Sequence, residues 1–430
     1  MTELSPVQAR SRRARRKPQR GLLTQALLLA FSTALGQVIV AVLYICTARI
    51  EGPEAFGPVV AAIAVGSTLA GFIDFGSNSF WVRQIATSKM DLMTLGNGIT
   101  GKLAMACIIC LIWGTANAIV APALQLWIAA PIAISIVLSQ SFAVPLRAAG
   151  RSDLVAVGAI VDRAAAAIFY TFLLILGVEA SLALWTCLTA GPVIASALTR
   201  WVLSGALKPQ MRLILRHNPW KGSRHYGLSS AAVSAQTLDL TIMNLIAGPT
   251  AAGLYGAVNR WTQPMTLLAG AFTTSSAPIV ARAASWKQAW PQVRRSAWLL
   301  AGAVLTCIIV ALLADPLVTV LVGPEYDDSG GILQVLALGT IGAVLNLPVA
   351  SFLQSLGRDR VVSAIITTGV VVQLALVACL SLQYGALGAS LAFCVLQGLI
   401  LISLVIAVFA KRQRPLSPAG RHFRNERRTT

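Results

Sequence analysis

Charge is what this chain of 430 residues has least of. Asp, Glu, Lys and Arg make up 11% of it, where soluble domains carry about 25%, and 56% of its residues are apolar. With a mean hydropathy of +0.74 spread along the whole length, lipid has to be the solvent for most side chains. A soluble globular enzyme is thereby excluded. Acid is scarcer still, with 15 Asp plus Glu against 34 Lys plus Arg and a net charge of +19. The seven cysteines (Cys46, Cys107, Cys110, Cys187, Cys307, Cys379, Cys394) lie in apolar segments with no histidine nearby. That pattern offers neither a disulfide framework nor a metal site, and no cofactor is expected. Cys107 and Cys110 read as small packing residues of a lipid-buried helix. No Gly-rich loop ends in Lys-Ser or Lys-Thr, so the chain has no ATPase of its own. The apolar run 22–48 is too long for a signal peptide and lacks a small-residue cleavage site, so it reads as a first span.

About 20 apolar residues cross a bilayer as helix, and the sequence divides into twelve such stretches: 22–48, 58–82, 99–121, 124–145, 154–177, 180–203, 228–247, 251–280, 297–321, 331–356, 361–382 and 386–410. The fold expected is an all-α polytopic membrane protein. Alternate connections differ in charge, and cytoplasmic loops carry the Lys and Arg excess. With both termini cytoplasmic, the inner face collects 30 of the 34 basic residues, Lys102 counted among them. The outer face holds Arg49 with Glu51, Glu54, Glu179, Asp315, Glu325, Asp327 and Asp328. The basic tails, 1–20 and 411–430, read as topology signals and contacts for anionic headgroups rather than nucleic-acid arms.

Three pairs of short segments repeat. Gly52-Pro-Glu-Ala-Phe-Gly57 matches Gly248-Pro-Thr-Ala-Ala-Gly253, Leu146-Arg-Ala-Ala-Gly-Arg151 matches Leu353-Gln-Ser-Leu-Gly-Arg358, and Ala180-Ser-Leu-Ala183 matches Ala389-Ser-Leu-Ala392. The offsets run from 196 to 209, six spans in each case. Two six-helix halves of the same orientation follow, 21–203 and 228–410, joined by a basic linker at 204–227. Parallel repeats with a site between them are a recurrent transporter plan.

The chain also resembles a known family, the polysaccharide and lipid-linked oligosaccharide flippases of the multidrug/oligosaccharidyl-lipid/polysaccharide exporter superfamily. The likeness lies in Gly52–Gly57, Phe72-Ile-Asp-Phe-Gly76 with Arg83, and Ala252-Gly-Leu-Tyr-Gly-Ala-Val-Asn-Arg260. It continues in Pro278, Leu321-Val-Gly-Pro-Glu-Tyr326, Leu356-Gly-Arg358 and Tyr384–Ala392, covering roughly 45–410. The resemblance implies a V-shaped, two-lobed transporter for a glycan on a polyprenyl pyrophosphate. Such a protein moves its cargo from the cytoplasmic to the outer leaflet of the cell membrane. The two extra spans of the peptidoglycan-precursor flippase are lacking.

Charges within spans single out the candidate site, because an ionisable group at the bilayer centre costs several kcal/mol and faces a partner or a wet cavity. Asp162, Arg163, Asp239 and Arg260 lie about mid-span, and Asp74 nearer the inner end. Arg260 and Arg163 are candidates for a lipid phosphate, since a guanidinium binds phosphate oxygens bidentately; the other reading pairs them with Asp74, Asp162 or Asp239 to hold the lobes together. Asp162 points about 100° round the helix from Arg163 and so need not neutralise it. Asp239, with Gln236, Thr237 and Asn244 around it, is a candidate proton-coupling group or a salt-bridge partner of Arg260, and Asp162 and Asp74 are further coupling candidates. Gln37, Gln140, Gln263 and Asn346 either line a sugar-binding cavity or serve as interhelical hydrogen-bond partners.

The function expected is a flippase of a polyprenyl-(pyro)phosphate-linked oligosaccharide, working by alternating access without making or breaking a bond. The chain acts as a monomer among membrane lipids, beside polysaccharide assembly proteins. A cation-coupled multidrug antiporter is the alternative. A membrane glycosyltransferase or glycan polymerase fits less well, because the outer loops carry no sizeable domain and cluster only Glu325, Asp327 and Asp328.

Overall fold

In the computed structural model the described residues are 22–121, 125–203, 208–211, 218–282, 294, 297–355 and 358–410. Both basic tails and much of the 204–227 linker lie outside them, as do Arg212, Arg216, Lys287, Arg295, Leu356 and Gly357. The described residues are helical almost throughout. Seven helices are long and apolar enough to cross a membrane, and a bent pair makes an eighth. Two of the seven are each a pair of helices meeting at a non-helical glycine, Gly52 and Gly385. Two further segments run through short breaks, which brings the long helical segments among the described residues to twelve, the number of spans expected from hydropathy.

In chain order they are α1 (22–51), α2 (53–74), α3 (Leu92–Val120), α4 (Leu126–Ala148), α5 (Ser152–Ile175) and α6 (Ala180–Val202). There follow α7 (224–246), α8 (249–282), α9 (297–321), α10 (Ser329–Ser355), α11 (359–384) and α12 (386–409). A short helix, Ser77–Ala86, leads from α2 toward α3.

The glycines and prolines explain where helices stop. Gly52 and Gly248 adopt the same backbone (φ 75, ψ 168 and φ 90, ψ 171), and Gly323 nearly so (φ 121, ψ 167). Each precedes a proline that opens the next helix. The positive φ requires glycine, and the following proline forces ψ into the extended range while fitting the first helical turn. The first sequence repeat is therefore a repeated backbone turn. Inside α9, Pro316 withdraws the N–H that the carbonyl of Leu312 would accept, and the helix bends by 73° there.

The three Gly-Pro turns gather at one end of the bundle. Tyr326 Oη donates to the carbonyl of Ala48 (3.0 Å), Glu51 Oε1 accepts from the Ser181 N–H (3.0 Å), and Ser329 Oγ donates to the Leu254 carbonyl (3.0 Å). Arg49, a lone cation among these acidic loops, donates to the Val320 carbonyl (3.4 Å). At the opposite end Trp220 donates its indole N–H to the Ile73 carbonyl (2.8 Å). The described cations Arg83, Lys89, Arg147, Arg151, Lys208 and Lys221 lie around that end.

Among α1–α6, the α1–α2 pair packs on α4, α5 and α6, α5 lies on α6, and α3 on α4. Among α7–α12, α10 packs on α8, α9 and the α11–α12 pair, which also takes α7. The seam between the two sets is α1–α2 against α7 and the first part of α8. It is lined by small residues and hydroxyls, which allow backbones to approach closely. A Cβ at Gly57 would strike the carbonyl of Pro249, and one at Gly253 the carbonyl of Pro53. Further along, Thr241 donates to the Ala61 carbonyl (3.0 Å), and Thr68 shares a hydrogen bond with Thr237 (2.8 Å).

Candidate functional site

Two helix interruptions build the site. In α7 the segment Gln236–Leu238 tightens into a 3-10 turn before the helix resumes at Asp239. In α8 the helix stops at Asn259 and restarts at Thr262. Pro264 supplies the cause: it has no N–H for the carbonyl of Arg260, and its ring crowds that carbonyl. The Arg260 oxygen instead accepts from Gln263 N–H (3.3 Å), while Thr262 Oγ1 donates to Asn259 (2.8 Å). Arg260 thus sits at the turn. It is eleven residues beyond Pro249, roughly 16 Å along the helix at about 1.5 Å per residue, half the thickness of a hydrocarbon core of roughly 30 Å.

Around these interruptions lies a cavity of about 570 Å³. Arg260, Gln263 and Asn259 line it from α8, Gln236 and Asp239 from α7, Asn346 and Thr340 from α10, and Gln373 and Gln397 from α11 and α12. Apolar side chains such as Phe393, Leu396 and Ile366 complete the wall. The amides are paired across helices. Gln236 Nε2 donates to Gln373 Oε1 (3.1 Å), and Asn346 Nδ2 to Gln397 Oε1 (2.9 Å), with Asn346 Oδ1 left without a partner.

Asp239 is turned into the wall and is 5% exposed. Its Oδ1 accepts from the Leu240 N–H (2.7 Å) and its Oδ2 from Tyr255 Oη (2.9 Å). Arg260 forms no ion pair among the described residues, so the proposed salt bridge to Asp239 is absent. Its Nη2 donates to Tyr44 Oη (3.2 Å), its guanidinium lies 5.0 Å from the Tyr44 ring centre, and its Nε is buried with no acceptor. Next to it, Trp261 also buries an indole N–H without a partner. On the Trp261 side of α8, an apolar groove of about 350 Å³ runs against α1 and α9 between Val38, Val42, Pro264, Leu268 and Val310.

Of the residues singled out from sequence, the structure brings Arg260, Gln263, Asn346 and Asp239 together on this cavity. It does not bring Arg163, Asp162, Gln37, Gln140 or Asp74 there. Arg163 lies over Gly36 of α1 and pairs with Asp162 at 3.5 Å. The 100° between the two Cα–Cβ directions does not keep them apart, because the arginine stem is long enough to swing back. Gln37 is half-buried on α1 and Gln140 is exposed on α4.

Asp74 serves a different cluster. Lys102, counted from the sequence with the inner loops, stands inside α3 with none of its surface exposed. Its Nζ donates to Asp74 Oδ1 (2.9 Å), Ser77 Oγ (3.0 Å) and Asn78 Oδ1 (2.8 Å), and lies 4.3 Å from the Trp81 ring centre. The chain turns at Phe75 and Gly76 with positive φ, which lays Ser77 and Asn78 beside the pair. All seven cysteines are unpaired, and no metal-ligand cluster occurs among the described residues.

Sequence reading missed Gln373 and Gln397. The signal was an uncharged amide in the middle of an apolar span, and the weight given to charge passed over it.

No protein-family model and no curated protein sequence matches the chain. Solved structures do. The lipid II flippase MurJ in an inward-closed conformation superposes with a TM-score of 0.68 at 12% identity, covering 89% of this chain and 87% of MurJ. An inward-facing multidrug resistance MATE transporter of the MOP superfamily gives 0.65 at 14% identity, covering 87% and 94%. A mutant form of the Vibrio cholerae MATE transporter VcmN gives 0.57 at 13% identity, covering 91% and 98%. At such identities the likeness is one of fold: the chain is an all-α, multi-pass membrane protein that shares the fold of these transporters.

Proposed function

We propose that the chain is a transporter that moves a polyprenyl-(pyro)phosphate-linked oligosaccharide across the cytoplasmic membrane for cell-surface polysaccharide biosynthesis. The observation that carries this reading is the cavity at the α8 break. A wall of amides and hydroxyls around one guanidinium has no use in hydrocarbon, and suits a head group rich in hydroxyls with an attached phosphate. The apolar groove on the other face of α8 is suited to the isoprenoid tail. The flippase activity named for the neighbour MurJ agrees with such a substrate. The Gly-Pro end faces outward and the basic end, with both termini, faces the cytoplasm, following the positive-inside rule. Lipids surround a monomer, polysaccharide assembly proteins supply and receive the cargo, and nucleic acid plays no part. No covalent chemistry is involved: the protein exposes the site to one face and then the other.

A multidrug antiporter is the second reading, favoured by Asp239 on the cavity wall and by MATE neighbours nearly as similar as MurJ. In either reading Asp239 is the coupling group, released from Tyr255 when it takes up a proton or cation.

Reconstitution in liposomes separates the two. The flippase reading expects fluorescent polyprenyl-phosphate sugars to change leaflet and a cationic dye to stay put. Dye extrusion driven by an imposed proton gradient, without lipid movement, contradicts it and sides with the antiporter.

A further inference from the structure

We infer that the site is matched to a lipid head bearing one negative charge, a sugar joined to its isoprenoid through a single phosphodiester, and not through a pyrophosphate. This rests on the reading of the cavity as the head-group site.

Three cations among the described residues stand well away from the helix ends. Lys102 is locked to Asp74 at 2.9 Å, and Arg163 is paired with Asp162 at 3.5 Å, outside the cavity. Arg260 is left, with no carboxylate paired to it and with a buried Nε that lacks an acceptor. A buried donor without a partner is costly unless a ligand satisfies it, and a guanidinium offers Nε–H and Nη–H as a fork that fits two oxygens of one phosphate. Among the described residues the remaining polar wall is uncharged, apart from Asp239. That carboxylate already accepts two hydrogen bonds, and any charge it holds subtracts from the positive total.

Among the described residues, the cavity therefore offers at most one positive charge. A phosphodiester carries one negative charge and is neutralised. A pyrophosphate bridge carries a second, which the amide wall leaves unpaired in a site of low dielectric, an expensive arrangement.

The test uses the full chain in lipid nanodiscs and two ligands that share isoprenoid and sugar and differ only in the bridge, polyprenyl-monophosphoryl and polyprenyl-pyrophosphoryl hexose. Expected is binding of the monophosphoryl lipid at least tenfold tighter, and loss of that preference in Arg260→Gln. Gln263→Arg, which adds a second cation to the same wall, shifts the preference at least tenfold toward the pyrophosphoryl lipid. Equal binding, or tighter binding of the pyrophosphoryl lipid by the native chain, overturns this inference and leaves the flippase reading standing. Binding of neither lipid overturns both.

Discussion

Two arginines at similar depth have different fates, and the reason lies in what stands beside each. Arg163 has Asp162 within 3.5 Å and Gly36 beneath it, so its charge is spent locally. Arg260 has a phenol and an unfilled donor. The sequence told that both were costly and did not tell which was paired, because pairing depends on rotamers that a helical wheel does not fix. The Lys102–Asp74 pair went unread for a related reason: a lysine close to a basic loop looks like a topology signal until the fold buries it. Lys102→Met strands Asp74 in a dry core, so it is expected to cost about 3–5 kcal/mol. Lys102→Met combined with Asp74→Asn is expected to recover most of that loss. Thermal unfolding in detergent measures both, and a mild single variant contradicts a sealed pair.

The helices themselves were legible from hydropathy, turn glycines and alternation of charge. Their interruptions were not, although Pro264 and Pro316 stood in the sequence, since a proline tolerated in a span shows its break only when neighbouring helices supply the freed groups with partners. In α8 that break sets the position of Arg260. Pro264→Ala restores the missing N–H and is expected to raise stability by about 1–3 kcal/mol, while slowing transport at least tenfold by drawing Arg260 back into a continuous helix. Unchanged transport in a stabilised variant contradicts the role given to the break. The start of α3 offers a pH test. Asp91 caps it, its Oδ1 accepting from the Thr94 N–H (3.2 Å), and the hydrogen bonds from Thr94 hold its carboxyl below the usual range. A carboxylate lowered in the folded state contributes stability above its unfolded pKa and loses it as pH falls through the folded value. Asp91→Ala is therefore expected to destabilise by about 1 kcal/mol at pH 7, and to differ little from the native chain once the pH is below the folded value. Melting curves at both pH values decide it.

At the scale of the molecule, the Gly-Pro repeat located the matching turns at Gly52 and Gly248, and the repeats together pointed to a site between the halves. The cavity instead lies almost wholly among helices α7, α8, α10, α11 and α12, with Ala64 of α2 contributing to its wall. That difference was out of reach of the sequence, because which face of α7 meets α2 is decided by the fit of Gly57, Gly253, Thr68 and Thr237 along the seam. The same seam has to part if the cavity is to reach both faces of the membrane. Gly253→Val places a side chain against the Pro53 carbonyl and is expected to pry the Gly-Pro end open. A cysteine at Glu54 would then react faster with an impermeant maleimide in the variant than in the native background, and equal reactivity would show that the close approach does not hold that end shut.

The most direct measurement is photo-crosslinking with a polyprenyl-phosphoryl sugar that carries a diazirine on the sugar, followed by mapping of the labelled peptides. A head group received at the α8 break puts the label within 233–266 and 340–404, and Arg260→Gln removes it. Label concentrated on α1 and α5 around Arg163, or labelling indifferent to Arg260, would contradict the account.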